Sequence, residues 1–100
     1  MYAASAPYIL ILDCYDKGDF NAVEEKVFAF SDAGSSHMYW LAKSFIVLGD
    51  SYVDRENLAQ AKATFESVRD GYQPTSSEDD VMDNVRMRLT KLDEIIAQKN

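Results

Sequence analysis

Side chains able to do chemistry are few in this sequence, and they are scattered. His37 is the sole histidine and Cys14 the sole cysteine in 100 residues. A general base or metal site draws on partners, and there is neither a second imidazole nor an HExxH spacing. His37 therefore reads as a surface or capping residue at a helix start. Cys14 lies between Asp13 and Tyr15, with no basic neighbour in sequence to lower its pKa, which describes a packed, inert thiol. Being single, it excludes an intramolecular disulfide and leaves the redox compartment open. The acidic cluster Glu78, Asp79, Asp80 and Asp83 stands where a helix N-terminus favours negative charge, and it lacks the glycine that a calcium loop needs at its turn. There is no glycine-rich phosphate loop, nucleophile elbow or aromatic-studded basic patch. No catalytic residue, metal ligand or cofactor is expected, and the chain reads as non-enzymatic.

Composition narrows the partners. Ten Lys and Arg against seventeen Asp and Glu give a formal charge of -7, which repels nucleic-acid phosphates and anionic headgroups over the screening length. Nucleic acid is therefore not an expected partner. The longest uninterrupted apolar run, Tyr8 to Leu12, is far short of the ~20 residues that cross a bilayer, so no direct membrane insertion is expected. The opening MYAASAP has no basic n-region or apolar h-region and reads as a boundary within a longer chain. With 47% hydrophobic residues, residues 1–100 suffice for one domain with a core of its own.

The elements that must position these residues are all helical. The period predicts helices over 7–17, 19–32, 37–55, 58–71 and 78–98, with no sustained alternation of the kind that marks strands. Asn57 and Gln60 have the spacing of a reciprocal cap, as do Ser77 and Asp80. A shift of 38 residues sets Ile9 on Val47, Leu10 on Leu48, Asp16 on Asp54, Lys17 on Arg55, Asp19 on Asn57, Val27 on Phe65 and Phe30 on Val68. Loop and core residues match together, which describes one helix-turn-helix unit used twice. A shift of 37 sets Phe45, Leu48 and Tyr52 on Met82, Val85 and Leu89. The fifth helix thus resembles the first helix of a third unit, with one apolar stripe and one wet face. The stretch YWLAKSFIVLGDSY carries two stripes, Leu41, Phe45, Leu48, Tyr52 and Ala42, Ile46, Gly49, Val53, and so requires two packing partners.

On these residues the second unit resembles a tetratricopeptide repeat. Phe45, Leu48-Gly49, Tyr52, Ala61 and Phe65 stand where that family has an aromatic, Leu-Gly, Tyr, a small residue and an aromatic, and Pro74 falls one residue after the family's proline. Gly49 is expected to allow a close backbone approach, and Tyr52 and Phe65 to fill the space between the two helices. The first unit departs from the pattern at Ile11, Cys14 and Val23. The resemblance implies an all-α, TPR-like α-solenoid of two stacked helical hairpins plus a C-terminal capping helix. In that arrangement 7–32 is a degenerate repeat, 37–71 a repeat and 78–98 the cap.

The resemblance further implies a non-catalytic protein–protein interaction scaffold, similar to the C-terminal end of larger bacterial multi-repeat proteins whose parents are periplasmic or outer-membrane-associated. In this family the first helix of each hairpin lines a concave face. That places Lys43, Ile46, Asp50, Val53 and Asp54 there from the second unit, and Tyr8, Leu12, Tyr15 and Asp16 from the first. The Lys and Asn pairs that clamp a C-terminal carboxylate are absent, with Ile46 and Asp50 in their places. A partly apolar peptide carrying basic residues is expected instead, because Asp16, Asp50 and Asp54 would face one another without counter-charge. The alternative is a purely structural cap, or a self-association module. A preceding repeat would then cover Tyr8, Ile9, Leu12 and the aromatic positions of the second helix, and without it this surface would support homo-oligomers.

Overall fold

The computed structural model describes residues 6–32, 38–73 and 79–99. They form five helices, α1 (Ala6–Asp16), α2 (Phe20–Asp32), α3 (Met38–Asp54), α4 (Leu58–Gly71) and α5 (Val81–Lys99), with no strand among the described residues. His37, Pro74, Ser77 and residues 33–36 lie outside them, so the readings placed on those residues do too. The late start of α5 has a local cause. Asp79 Oδ1 accepts the Val81 N–H at 2.9 Å, an Asx-type turn that competes with helix, and the helical ladder opens only with Asn84 N–H on the Asp80 carbonyl.

The two hairpin turns repeat bond for bond at the 38-residue shift. In the first, Lys17, Gly18 and Asp19 donate to the carbonyls of Asp13, Tyr15 and Cys14. In the second, Arg55, Glu56 and Asn57 donate to Ser51, Val53 and Tyr52. Both are Schellman closures, which need a left-handed residue after the helix. Gly18 supplies it at φ 75° and Glu56 at φ 59°. The starts of α2 and α4 differ. Asp19 Oδ1 takes the Ala22 N–H at 3.3 Å, whereas Asn57 makes no side-chain cap bond. The reciprocal cap expected of Asn57 and Gln60 is therefore not formed. At φ -89°, ψ 71° Asn57 lies off the extended cap conformation, and only its carbonyl serves the helix, accepting from Ala61.

Helix α3 touches every other helix, which is why it is apolar almost all round. Helices α1, α3 and α5 lie side by side, and α2 and α4 form a second layer that packs on them. The molecule is 20 Å through its thinnest direction, the depth of two packed helices. Among the described residues the backbones of α2 and α4 stay apart, with no Cα pair within 8 Å. The serines of α3 that face inward, Ser44 and Ser51, hand their hydroxyl protons to the Trp40 and Leu48 carbonyls at 2.8 and 2.6 Å, which keeps these buried groups satisfied.

The seam between α3 and α4 is apolar and tight. A Cβ on Gly49 would stand 2.4 Å from the Phe65 ring, so the close approach read from the sequence is made by an aromatic side chain rather than by backbone. Matched core pairs are buried in both units, as Val27 and Phe65 show, or Phe30 and Val68. The exceptions are informative. Val47 and Leu48 are 6% and 1% exposed, while their counterparts Ile9 and Leu10 are 59% and 56% exposed. Helices α1 and α2 cover α3, and no described helix occupies the corresponding place over α1.

Candidate functional site

Three parallel helices create a trough, floored by α3 and walled by α1 and α5. The parallel register follows from the cross-links, which join residues 37 to 39 apart: Lys43 to Asp80, Asp50 to Arg88 and Tyr15 to Asp54. The trough encloses about 180 Å³. Tyr8, Leu12 and Tyr15 line it from α1, Lys43, Ile46 and Asp50 from α3, and Asn84 and Arg88 from α5, with Asp80 just ahead of α5. It opens past the Asp50–Arg88 pair into a recess of about 310 Å³ whose lining includes Val53, Met87, Lys91 and Ile95.

Most of the residues read from the sequence as concave-facing are thus brought together. Val53 belongs to the second recess, and Asp54 closes one end of the trough by accepting the Tyr15 hydroxyl at 2.6 Å. Asp16 is exposed and not part of the lining, because it sits about 80° round the helix from Tyr8.

The charge reading needs correction. Asp50 is not short of a counter-charge. Arg88 grips it through Nε and Nη2 at 2.9 and 3.1 Å, and Arg88 Nη1 also reaches Asn84 Oδ1 at 3.1 Å. The two side chains are 27% and 28% exposed, shielded enough for a bidentate pair to hold its geometry. Asp54 is held by Tyr15. Sequence period does not give these partners, since it sets Arg88 on the wet face of the fifth helix and Asp80 among the acids at its N-terminus.

A second polar knot sits at the other end. Asp80 accepts the Tyr39 hydroxyl at 3.0 Å and lies 3.5 Å from Lys43 Nζ. The Tyr39 hydrogen bond, with Lys43 assisting, holds the Asp80 carboxyl below its ordinary range despite some desolvation. Partial burial pulls the Lys43 ammonium down, but the neighbouring Tyr8 and Asp80 outweigh it and leave it raised. Its Nζ lies 5.8 Å from the centre of the Tyr8 ring, and that ring packs 5.4 Å from Trp40. Burial first, then the bond to Asp54, pushes the Tyr15 hydroxyl well above its usual value.

Two expectations about the open face also change. Tyr8 and Leu12 belong to the trough rather than to an uncovered surface. The aromatic residues of α2 are engaged within the chain: Phe20 with Tyr15, Phe28 with Phe45, and Phe30 in the core. Ile9 and Leu10 are what is left open. Cys14 is half-buried against the core, and no three His, Cys, Asp or Glu side chains converge among the described residues. No described helix is long and apolar enough to cross a membrane. The chain matches no protein family, no curated protein and no solved structure.

Proposed function

We propose that this protein is a non-catalytic interaction module of the tetratricopeptide type, whose trough over α3 receives a partly apolar peptide segment. One observation carries the reading. The two hairpins repeat their turn hydrogen bonds at one 38-residue spacing and place their first helices side by side, so that a shared, lined recess lies on that side. The floor and walls offer two tyrosines, Leu12 and Ile46, while the charged groups are mostly paired within the chain. The segment therefore contributes aromatic or aliphatic contacts and hydrogen-bonding groups, and needs no basic residues to neutralise Asp50 or Asp54.

Selection from a random 12-residue peptide display library tests this. Sequences enriched on the wild-type protein should lose binding to Tyr8→Ala and Lys43→Ala at unchanged helical content. Absence of enrichment, or enriched sequences indifferent to both variants, refutes the trough as the site.

A second reading, the end piece of a longer helical array, is favoured by the contrast between buried Val47 and Leu48 and exposed Ile9 and Leu10. A hairpin stacked over α1 as α1 and α2 stack over α3 would cover that pair. It would also meet Asp13, paired with Lys17 at 2.9 Å, where the second unit has the fully buried Ser51. Sedimentation of Ile9→Ser with Leu10→Ser against wild type tests it. Loss of self-association supports this reading, and a wild type that is already monomeric at millimolar concentration opposes it.

A further inference from the structure

The other side of α3 carries a different surface. Because the backbones of α2 and α4 stay apart, a groove runs between them, with recesses of about 260 and 180 Å³ along it. Phe45 lies in the floor of both, Phe28 and Met38 flank it at 45% and 49% exposed, and Ala63, Ser67 and Gly71 form the α4 wall. None of the described side chains lining either recess is charged, in a chain of which 27% is Asp, Glu, Lys or Arg. The trough, by contrast, contains Lys43, Asp50, Asp80 and Arg88.

Charge returns at the rim: at the Tyr52 end Glu24 is paired with Arg55, and further along the α2 wall the described charge is acidic. Glu25 and Asp32 stand three residues before and four after Phe28, which puts them beside it on the α2 wall. Both are exposed, and neither has an ion-pair or hydrogen-bond partner among the described residues. On the α4 side Asp70 is already bound by Arg69 at 2.9 Å.

We infer that this groove docks an amphipathic helix of a partner protein, one with an uncharged apolar face bordered by Lys or Arg on the flank that meets α2. The walls are helices whose backbone groups are already bonded. An extended segment would strand its own N–H and C=O groups over the apolar floor, whereas a helix satisfies them internally. From Gln60 to Gly71 the wall is about 16 Å long, three helical turns. That suits a segment better than a second copy of this chain, which would bring another net -7 against an acidic rim and needs a larger contact for a stable dimer. The site is separate from the trough, and its test does not depend on it.

The probe is a 16-residue synthetic helix of Ala, Leu and Lys, with leucines on one face and lysines flanking it. Two controls go with it, one with Gln in place of every Leu at the same charge, one with Glu in place of every Lys. Titration is followed by amide chemical shifts and by calorimetry. Shifts should map to α2, α4 and Phe45, and both controls should bind at least tenfold more weakly. Ser67→Arg, at an exposed wall position, should weaken the Leu/Lys helix at least tenfold, as should Glu25→Lys with Asp32→Lys, with melting temperatures close to wild type. Equal binding of the Gln-faced control, undiminished binding to Ser67→Arg, or shifts confined to α1 and α5 overturns the inference. So does self-association of the wild type that Ser67→Arg abolishes, since the occupant is then a second copy.

Discussion

Gly49→Ala is the sharpest probe of how this domain is held together. The added methyl would lie 2.4, 2.7 and 2.9 Å from three atoms of the Phe65 ring, distances that real Cβ contacts do not reach. Phe65 is fully buried on α4, so the ring cannot swing into solvent, and α3 and α4 must separate along their most extensive contact. Overpacking of this kind costs typically about 1–3 kcal/mol. The gain from replacing a mid-helix glycine with alanine offsets about 0.5–1 kcal/mol of it. The net expectation is a loss of roughly 1–2 kcal/mol, a visible share of the 5–15 kcal/mol that holds a typical domain together. Urea unfolding followed by circular dichroism reads the loss directly. Phe65→Leu supplies the internal control, because the smaller side chain leaves room for the methyl. The double variant should be more stable than the sum of the two single losses predicts, with a coupling of about 0.5–3 kcal/mol. A Gly49→Ala protein as stable as wild type, or strict additivity in the cycle, would refute the claim that this contact fixes the helix spacing.

The remaining expectations concern the turns and the polar links. Glu56→Gly should raise stability by about 0.5–1 kcal/mol, because a non-glycine residue at φ 59° carries a left-handed penalty that glycine avoids; an unchanged or lower urea midpoint contradicts this. Arg88→Met strips Asp50 of its bidentate partner in a half-covered setting and should cost about 1–2 kcal/mol, reduced from the fully buried case by residual solvent, while Asp50→Asn in that background should restore part of it. For pH, the Asp80 carboxyl is lowered in the folded state, so its contribution is present above the unfolded value of about 4 and is lost as pH falls through the folded one; Asp80→Asn should flatten the acid limb of the stability curve. The Tyr15 hydroxyl is raised, so its contribution holds below about pH 10 and is lost as pH climbs above it, and Tyr15→Phe should flatten the alkaline limb.

The helices and their order were legible because the apolar period is strong and because α3, apolar on two stripes, announces its central place. Four helix starts fall within a residue of expectation. The start of α5 does not, since Asp79 diverts the backbone in a way that hydrophobic period does not register. The deepest likeness between the hairpins, a left-handed residue at Gly18 and again at Glu56, was hidden by the residues themselves. Backbone geometry is shared there while side-chain identity is not. The trough residues on α1 and α3 followed from the family resemblance, apart from Asp16, while Asn84, Arg88 and Asp80 did not. Nor did the trough's electrostatics, because Arg88 falls on the wet face of the fifth helix and Asp80 in the acidic cluster at its N-terminus, and neither position announces a partner on α3. The groove between α2 and α4 is not legible for a related reason: it is made by the gap between two helices, and sequence period reports what a helix face is, not what stands opposite it.

The placement of the polar links has a mechanical consequence. Those that join α1, α3 and α5 all lie on the trough side: Tyr15 to Asp54, Lys43 to Asp80, Arg88 to Asp50. Among the described residues no ion pair or side-chain hydrogen bond joins α2 to α4 across the opposite side. The outer helices are tied instead to the inner layer, α2 to α3 by Glu24 with Tyr52 and Arg55 and α4 to α5 by Lys62 with Asp93. With no such bond across the outer gap among the described residues, that gap is expected to vary more than the inner width. Spin labels at Ala29 and Ala59, on the outer helices, should give a broader distance distribution than labels at Ile9 and Met87, on the inner ones. A rigid helix lodged between α2 and α4 would then narrow that distribution without touching the trough.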